Sequence, residues 1–568
     1  MRAGASCGKR EHGIAISAAN DIFIIPAILR RAHGFDPHHT RQVLAAFDGE
    51  MSDQMRHSPV LIVGAGPTGL VLALWLTKSG IAVRIIDKAS EAGTTSRALA
   101  VQARTLELYQ QLDLARAVVD AGVKVAAVNL WVSGTRVARA PIMDIGQGSS
   151  PFPFPLIYPQ DAHERLLADR LAALGVPVER QTELVSFELR PDGVSALLRR
   201  ADGTEERCDA SYLAGCDGAR SKVREGLGIG FPGGTYEHMF YVADAQAAGP
   251  VADHELHVDL DSSDFIAVFP MKGEHRIRLI GSVRVALAGD QGAPTFDDVS
   301  AAPIAQMKIQ IEKVNWFSTY RVHHRVALSF RRERAFILGD AAHIHSPVGG
   351  QGMNTGIGDA VNLAWKLAAV LREEASPRLL DSYEPERIAF ARRLVATTDR
   401  AFTIVTKSGP LAAFVREHIV PVIVPLLFSF TPMRRFLFRT VSQIGVSYPG
   451  SALSAGRAGR VHGGDRLPWV PRSDGEDNFA PLASLAWQAH IYGDAHEGAT
   501  ATCRDLHIPL HVFPWSADAA RAGLERSALY LVRPDGYVAL ADSDGNARGL
   551  REYLAQRELA PRASRLNS

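Results

Sequence analysis

The chain has 568 residues, long enough for three or four domains, and its 62 Lys and Arg against 61 Asp and Glu leave a net charge of +1. That balance supplies no basic excess to hold nucleic acid and points to a small, largely apolar ligand. Cys7, Cys208, Cys216 and Cys503 include no C-x-x-C pair, which argues against dithiol exchange and structural zinc and fits a reducing, cytoplasmic compartment.

Residues 1–55 differ in texture from the rest of the chain: 1–13 are polar or small, and 14–29 are moderately apolar but broken by Asp21 and Pro26. No small-residue cleavage site stands out, so the segment is expected to be a weakly ordered upstream extension. Val60-Leu61-Ile62-Val63 then reads as a buried strand entering Gly64, Gly66, Pro67, Thr68 and Gly69, with residues 70–79 as a helix and Gly80 as its stop. A second strand over 82–86 ends in Asp87 and Lys88, and Asp87 falls 23 residues after Gly64, where a carboxylate accepts ribose hydroxyls. Chance gives a G-x-G-x-x-G spacing about 0.4 times in a chain this rich in glycine, so the flanking strand and helix carry the inference. The helix amino end faces a pyrophosphate, of NAD or of FAD.

Strand and helix patterns continue to residue 230 and predict a doubly wound, Rossmann-like α/β domain over 56–230. Residues 231–333 change to alternating strands, such as 255–260, 265–269 and 276–280, with Lys272-Gly273-Glu274 as a turn; they predict an inserted antiparallel sheet. On one face of it, Phe265, Ala267, Phe269 and Met271 are spaced to line a pocket, with Phe269 and Met271 the candidates for substrate contact. The first domain resumes over 334–449, beginning with Gly339 and Asp340; a glycine-rich loop follows, and then a helix over 357–371. The run 419–430 is the most apolar of the chain, yet Pro421 and Pro425 leave it too short for a membrane span; it reads as a buried helix, with a homodimer contact as the alternative. Residues 450–478 read as a linker, and 479–568 as a third unit with strands over 485–491, 508–514 and 528–532.

Several segments occur in one order with long gaps between them: Ser96-Arg97-Ala98, Arg104-Thr105-Leu106-Glu107, Pro159-Gln160 with Glu164, and Cys216-Asp217-Gly218 through Ser221 and Arg224. Gly339-Asp340-Ala341-Ala342-His343 and the loop from His345 to Gly356 complete the series. On these motifs the chain, from about residue 58 onward, resembles the FAD-dependent class A aromatic hydroxylases, among them phenol and pentachlorophenol hydroxylases. The resemblance implies FAD, NADPH or NADH as electron donor and O2 as co-substrate. It implies hydroxylation of a phenolic or other aromatic substrate through oxygen addition at the flavin C4a carbon and transfer of the distal peroxide oxygen. The third unit resembles the thioredoxin-like domain of phenol-hydroxylase relatives; without paired cysteines its role is structural or dimerising.

By the same resemblance Asp340 accepts hydrogen bonds from ribityl hydroxyls, and Pro347, Gly349, Gly350 and Gly352 bring a nearly bare backbone to the isoalloxazine. The helix amino end at Met353 and Asn354 faces the flavin N1 and C2 carbonyl. Gln160 bonds the ribityl chain, and Arg97 lies at the flavin or its phosphates. Asp217 and Gly218 match a fingerprint for both FAD and the nicotinamide donor, with Ser221 and Arg224 as further donor candidates. Arg97 and Pro347 are the nearest to catalytic residues that can be named, since the flavin carries the chemistry. His343 and His345 read as loop-bracing side chains, not metal ligands. A flavin oxidase or reductase without oxygen insertion, and a noncatalytic flavin scaffold, are the competing readings.

Overall fold

A computed structural model describes residues 57–93, 98–260, 266–283, 294–346, 349–406 and 414–560. The extension 1–55, Ser96, Arg97, Phe265 and Pro347 lie outside the described residues.

A seven-stranded sheet is built around the two Gly motifs. Its main path runs Arg331–Arg332, Ala335–Ile337, Glu205–Gly215, His57–Val63, Val83–Ile86. His57–Val63 pairs in parallel with Val83–Ile86, and Glu205–Gly215 in parallel with Ala335–Ile337. Val60, Leu61 and Ile62 are all buried, so this strand reads as a continuous apolar run because helices cover both faces of a parallel sheet. Helix Pro67–Lys78 is apolar all round for the same reason and packs against helix Gly352–Leu371.

An eight-stranded sheet lies beside it, in the order His343–Ile344, Gln310–Val326, Gly233–Ala248, Arg276–Val283, Ile266–Pro270, Leu256–Asp259, Ala127–Val132, Thr135–Pro141. Its last two strands come from before residue 231, so the sheet is wider than the insertion that the sequence pattern marks out. Ile266, Val268, Ile277 and Leu279 pack into one cluster on one face, whereas Phe269 and Ile280 pack into a different cluster on the other. That is the period-two alternation of an antiparallel strand.

The carboxyl-terminal sheet runs Val461–His462, Ala455–Ala458, Val538–Asp542, Leu529–Val532, Gln488–Tyr492, Leu510–Phe513. The stretch 450–478 is therefore not a linker. Its glycines and prolines shape tight turns between two strands that extend this sheet, and Ala455–Ala458 pairs in parallel with Val538–Asp542.

The run 419–430 departs furthest from expectation. Helix Val420–Ser429 buries none of its residues, and Val422, Leu426 and Phe430 are exposed. Pro421 at the helix start and Pro425 inside it are tolerated, but among the described residues no neighbouring element covers the outer face, so apolarity alone did not bring it into the core. Among the described residues no single helix is long and apolar enough to cross a membrane.

Candidate active site

The three glycines of the first motif do three separate jobs. A Cβ on Gly64 would sit 2.3 Å from the Cys216 carbonyl oxygen, and its φ of +102° suits only glycine, so this residue lets two strand ends meet. A Cβ on Gly69 would meet the Gly64 carbonyl at 2.0 Å, which fixes close helix–strand packing. Gly66 alone faces open space, nothing lying within 4 Å, at a helix amino end that has Pro67 in its first turn and no side-chain cap. Asp87 holds this loop in shape: its Oδ2 accepts from the Ala65 N–H at 2.7 Å and its Oδ1 from Ala89 at 2.8 Å. Lys88 follows it, exposed.

The second motif interlocks with the first through Thr68. Cβ atoms on Gly339 and Gly356 would lie 2.7 and 2.4 Å from Thr68 Oγ1, so the Gly-Asp turn and the later helix both close on the pyrophosphate-type amino end. Gly339 has φ +58°, and its N–H donates to Asp359 Oδ2 at 3.0 Å. Asp340 lies exposed in this turn. Asp359 is wholly buried; His343 Nε2 meets its Oδ2 at 2.7 Å and Arg387 Nε donates to its Oδ1 at 2.6 Å. Burial pushes the Asp359 carboxyl up, but Arg387 and His343 outweigh it and hold it below the usual range. Arg387 also donates to the Tyr448 hydroxyl at 2.7 Å and the Thr355 carbonyl at 3.1 Å.

The Asn354 side chain is spent inside the protein. Its Oδ1 accepts from Gln102 N–H at 2.9 Å and Thr105 Oγ1 at 2.7 Å, and its Nδ2 donates to the carbonyls of Ala100 and Gly350. Gln102 Nε2 donates to the Gly349 carbonyl at 2.9 Å, and a Cβ on Gly350 would strike Ala100. The amide is fully used in clamping the glycine loop to the 100–105 segment. What remains for a ligand is the backbone at the start of helix Gly352–Leu371, which has no side-chain cap at Gln351. Met353 is in its first turn.

Gln160 Nε2 donates to Glu164 Oε1 at 2.7 Å, and Glu164 Oε2 accepts from the Gly93 N–H at 2.9 Å. Both side chains thus fix the chain on either side of the Arg97 segment. Asp217 Oδ2 accepts from the Val223 N–H at 3.1 Å, Gly218 faces open space, and the Ser221 hydroxyl caps Arg224 N–H at 2.9 Å. Arg224, expected at the electron donor, is instead buried: it donates to the carbonyls of Ala341 at 3.0 Å and Ala219 at 2.9 Å, and stacks on Phe231. Its guanidinium is satisfied by tying the Asp217 turn to the Asp340 turn.

Above the loop, Leu99, Ala100 and Ala103 share a cluster with Val128, Leu256, Phe269 and Ile280 from four adjacent strands of the eight-stranded sheet. Phe269 is where the sequence pattern puts it. Met271 is buried just beyond the strand end, its N–H donating to the Arg276 carbonyl at 3.0 Å. On the same sheet face Arg278 and Asp244 form a two-pronged ion pair beside Trp316.

Sequence reasoning missed Asp359, Arg387, Gln102 and the Arg278–Asp244 pair. For Asp359 a signal exists: Asp359, Asn362 and Lys366 recur at three- and four-residue steps inside an apolar helix, which places three polar groups on one buried side. The carboxyl-terminal unit reaches the same helix. In its turn 533–537, Arg533 pairs with Glu386 at 2.8 Å and with Asp535 at 2.6 Å; Lys366 joins Glu386 at 2.9 Å, and Trp365 Nε1 donates to Asp535 at 3.0 Å.

These residues fit an FAD. There is a bare helix amino end with room at Gly66, and two buried polar atoms nearby, Asp217 Oδ1 and His345 Nε2, have no hydrogen-bond partner among the described residues. His345 Nδ1 bonds the Ser346 carbonyl at 2.8 Å and burial lowers the ring to about 4, so it is uncharged.

A family described as an FAD binding domain matches residues 57–398. The 6-methylpretetramide 4-monooxygenase of Streptomyces rimosus is 34% identical over 88% of this chain and 94% of its own length. The pentachlorophenol 4-monooxygenase of Sphingobium chlorophenolicum is 33% identical over 63% of this chain and 66% of its own. Among solved structures, an anhydrotetracycline hydroxylase from Streptomyces rimosus superposes with a TM-score of 0.71 at 28% identity, covering 89% of this chain and 100% of that one.

Proposed function

The chain belongs to the family of FAD-dependent aromatic monooxygenases that share this FAD binding domain, and on that premise we propose that it hydroxylates a polycyclic phenol with NADH or NADPH as donor. The observation that carries the substrate class is the width of the apolar wall. Val128, Leu256, Phe269 and Ile280 come from four neighbouring strands, and three strand spacings span about 14 Å, enough for several fused rings. The names of relatives that act on 6-methylpretetramide and anhydrotetracycline agree with a large substrate.

FAD, when bound, supplies the electron transfer from the donor and the activation of O2. The protein holds it at both ends. The helix amino end at Gly66 to Gly69 receives the pyrophosphate, and the lone pairs that Asp87 does not use on Ala65 and Ala89 receive the ribose hydroxyls. Asp340 and Gln160 serve the ribityl chain. The first N–H groups of helix Gly352–Leu371 favour negative charge on the flavin pyrimidine edge. Asp359 sets the position of both parts, since it grips the Gly339 N–H and sits on that same helix. Asp217, Gly218 and Ser221 remain the residues proposed for the donor, and Arg97 and Pro347 those nearest the reacting atoms. The apolar wall keeps water from the reacting centre.

The carboxyl-terminal unit is thioredoxin-like on this reading. Leu510–Phe513 pairs in parallel with Gln488–Tyr492, which pairs antiparallel with Leu529–Val532, which pairs antiparallel with Val538–Asp542. Its one cysteine, Cys503, is buried with its thiol pushed up to about 11, so the unit does no thiol exchange and acts through the 533–537 turn as a structural brace.

The test is oxidation of NADH and NADPH by FAD-loaded protein across phenols and polycyclic aromatics, with peroxide quantified and products weighed. A polycyclic phenol that accelerates oxidation and gains one oxygen is expected. Oxidation that yields only peroxide with every aromatic would overturn the reading in favour of an oxidase.

A further inference from the structure

The helix pair Val420–Ser429 and Thr431–Val441 turns Phe428 and Phe438 inward, into the cluster that holds Phe269, and among the described residues nothing covers its outer face. Val422, Leu426, Phe430 and Phe436 are 66%, 54%, 57% and 64% exposed, and Ile423 lies among them at 44%. Soluble surfaces scatter such side chains singly, and a grouped set marks a contact surface. The pair is also basic. Residues 414–441 hold Arg416, Arg434, Arg435 and Arg439 against Glu417 alone, a net +3 in a chain whose total is +1. Arg435 and Arg439 flank Phe436 on the exposed side of their helix, and exposed Arg392 and Arg393 lie on the neighbouring helix Tyr383–Thr406.

Charge decides between the occupants. A second copy docked two-fold on this face would bring the arginine cluster against itself, which costs association. A partner that is both apolar and anionic satisfies the whole surface. We propose that this helix pair seats the protein on the surface of an anionic lipid bilayer, with Val422, Leu426 and Phe430 in the acyl boundary and Arg435 and Arg439 on lipid phosphates. It lies on the bilayer and does not span it: ten residues of helix extend about 15 Å, and the two helices meet at 100°. Phe436 and Arg439 also line a groove with Phe390, Arg393 and Leu394 whose floor includes Gln351, the residue before the flavin-loop helix.

Binding is tested separately from activity, with the full FAD-loaded chain sedimented with phosphatidylcholine vesicles, with and without phosphatidylglycerol. Binding about tenfold tighter to the anionic vesicles is expected, weakening as salt rises. The variant Val422→Ser/Leu426→Ser/Phe430→Ser should lose binding to both while keeping its flavin spectrum, and Arg435→Glu should lose the anionic preference alone. Equal affinity for both vesicles, or none for either, would overturn the proposal. So would a dimer in sedimentation velocity that the triple variant turns into a monomer, which assigns the face to a second copy.

Discussion

Helices Gly352–Leu371 and Val420–Ser429 reverse the usual relation between composition and burial. The first carries Asp359, Asn362 and Lys366 and buries fifteen of its twenty residues; the second has no charged residue and buries none. The polar helix is internal because each buried polar group has a partner. Asp359 meets Arg387, His343 and the Gly339 N–H, and Lys366 meets Glu386 and Asn362. The apolar helix packs its inner side through Phe428, but among the described residues no element covers its outer face. Burial therefore depends on what the neighbours supply, and hydropathy is only one part of that supply.

Removing a partner from the buried helix should break the contrast most. Asp359→Asn leaves the Arg387 charge inside without its counter-charge, and a loss of about 3–5 kcal/mol is expected, with FAD retention falling alongside it. Denaturant unfolding and flavin fluorescence read both; a variant as stable as the parent would mean that the cluster does not hold the helix.

Acid is expected to act next, through histidines buried without charge. Burial holds His163 and His490 down to about 3 in the folded protein, while the unfolded chain titrates near 6.5. Below pH 6.5 the unfolded state binds the extra protons, so stability is fully present above that value and falls as pH drops toward 3. Each should contribute about 2 kcal/mol of loss between pH 7 and pH 5. Urea midpoints that stay constant over that range would contradict the neutral assignment.

A smaller effect belongs to Tyr448→Phe, which removes the hydroxyl that accepts from Arg387 but keeps the ring packed on Tyr537. About 1.5 kcal/mol of stability should go, with weaker FAD binding visible by titration. Leu426→Ser on the exposed helix should change stability by no more than about 0.5 kcal/mol in the absence of lipid. A larger loss in that variant would show that the helix is covered in solution after all.

The sequence made the cofactor fold legible through local patterns. Four apolar residues before Gly64, an apolar helix after it and Asp87 at the next strand end need only nearest neighbours to be read, and Phe269 comes from strand alternation. The side-chain partners of Asn354 and Arg224 were not legible in the sequence. Their partners, Gln102, Thr105 and Ala341, are distant in sequence, and a side chain's valences are spent on whatever the fold brings to it. The 450–478 stretch failed in another way: its glycines and prolines signal turns equally well in a linker and between short strands.

Sequence alone thus determined the mixed α/β class and the two glycine motifs, because strand and helix periods and turn chemistry are local properties. Tertiary structure decided that Thr68 joins those motifs, that Asp359 is gripped from Arg387 and His343, that the 533–537 turn reaches Glu386, and that the most apolar helix stays outside. Each of those depends on pairing groups separated along the chain, and a one-dimensional pattern carries no information on which buried charge will find its partner.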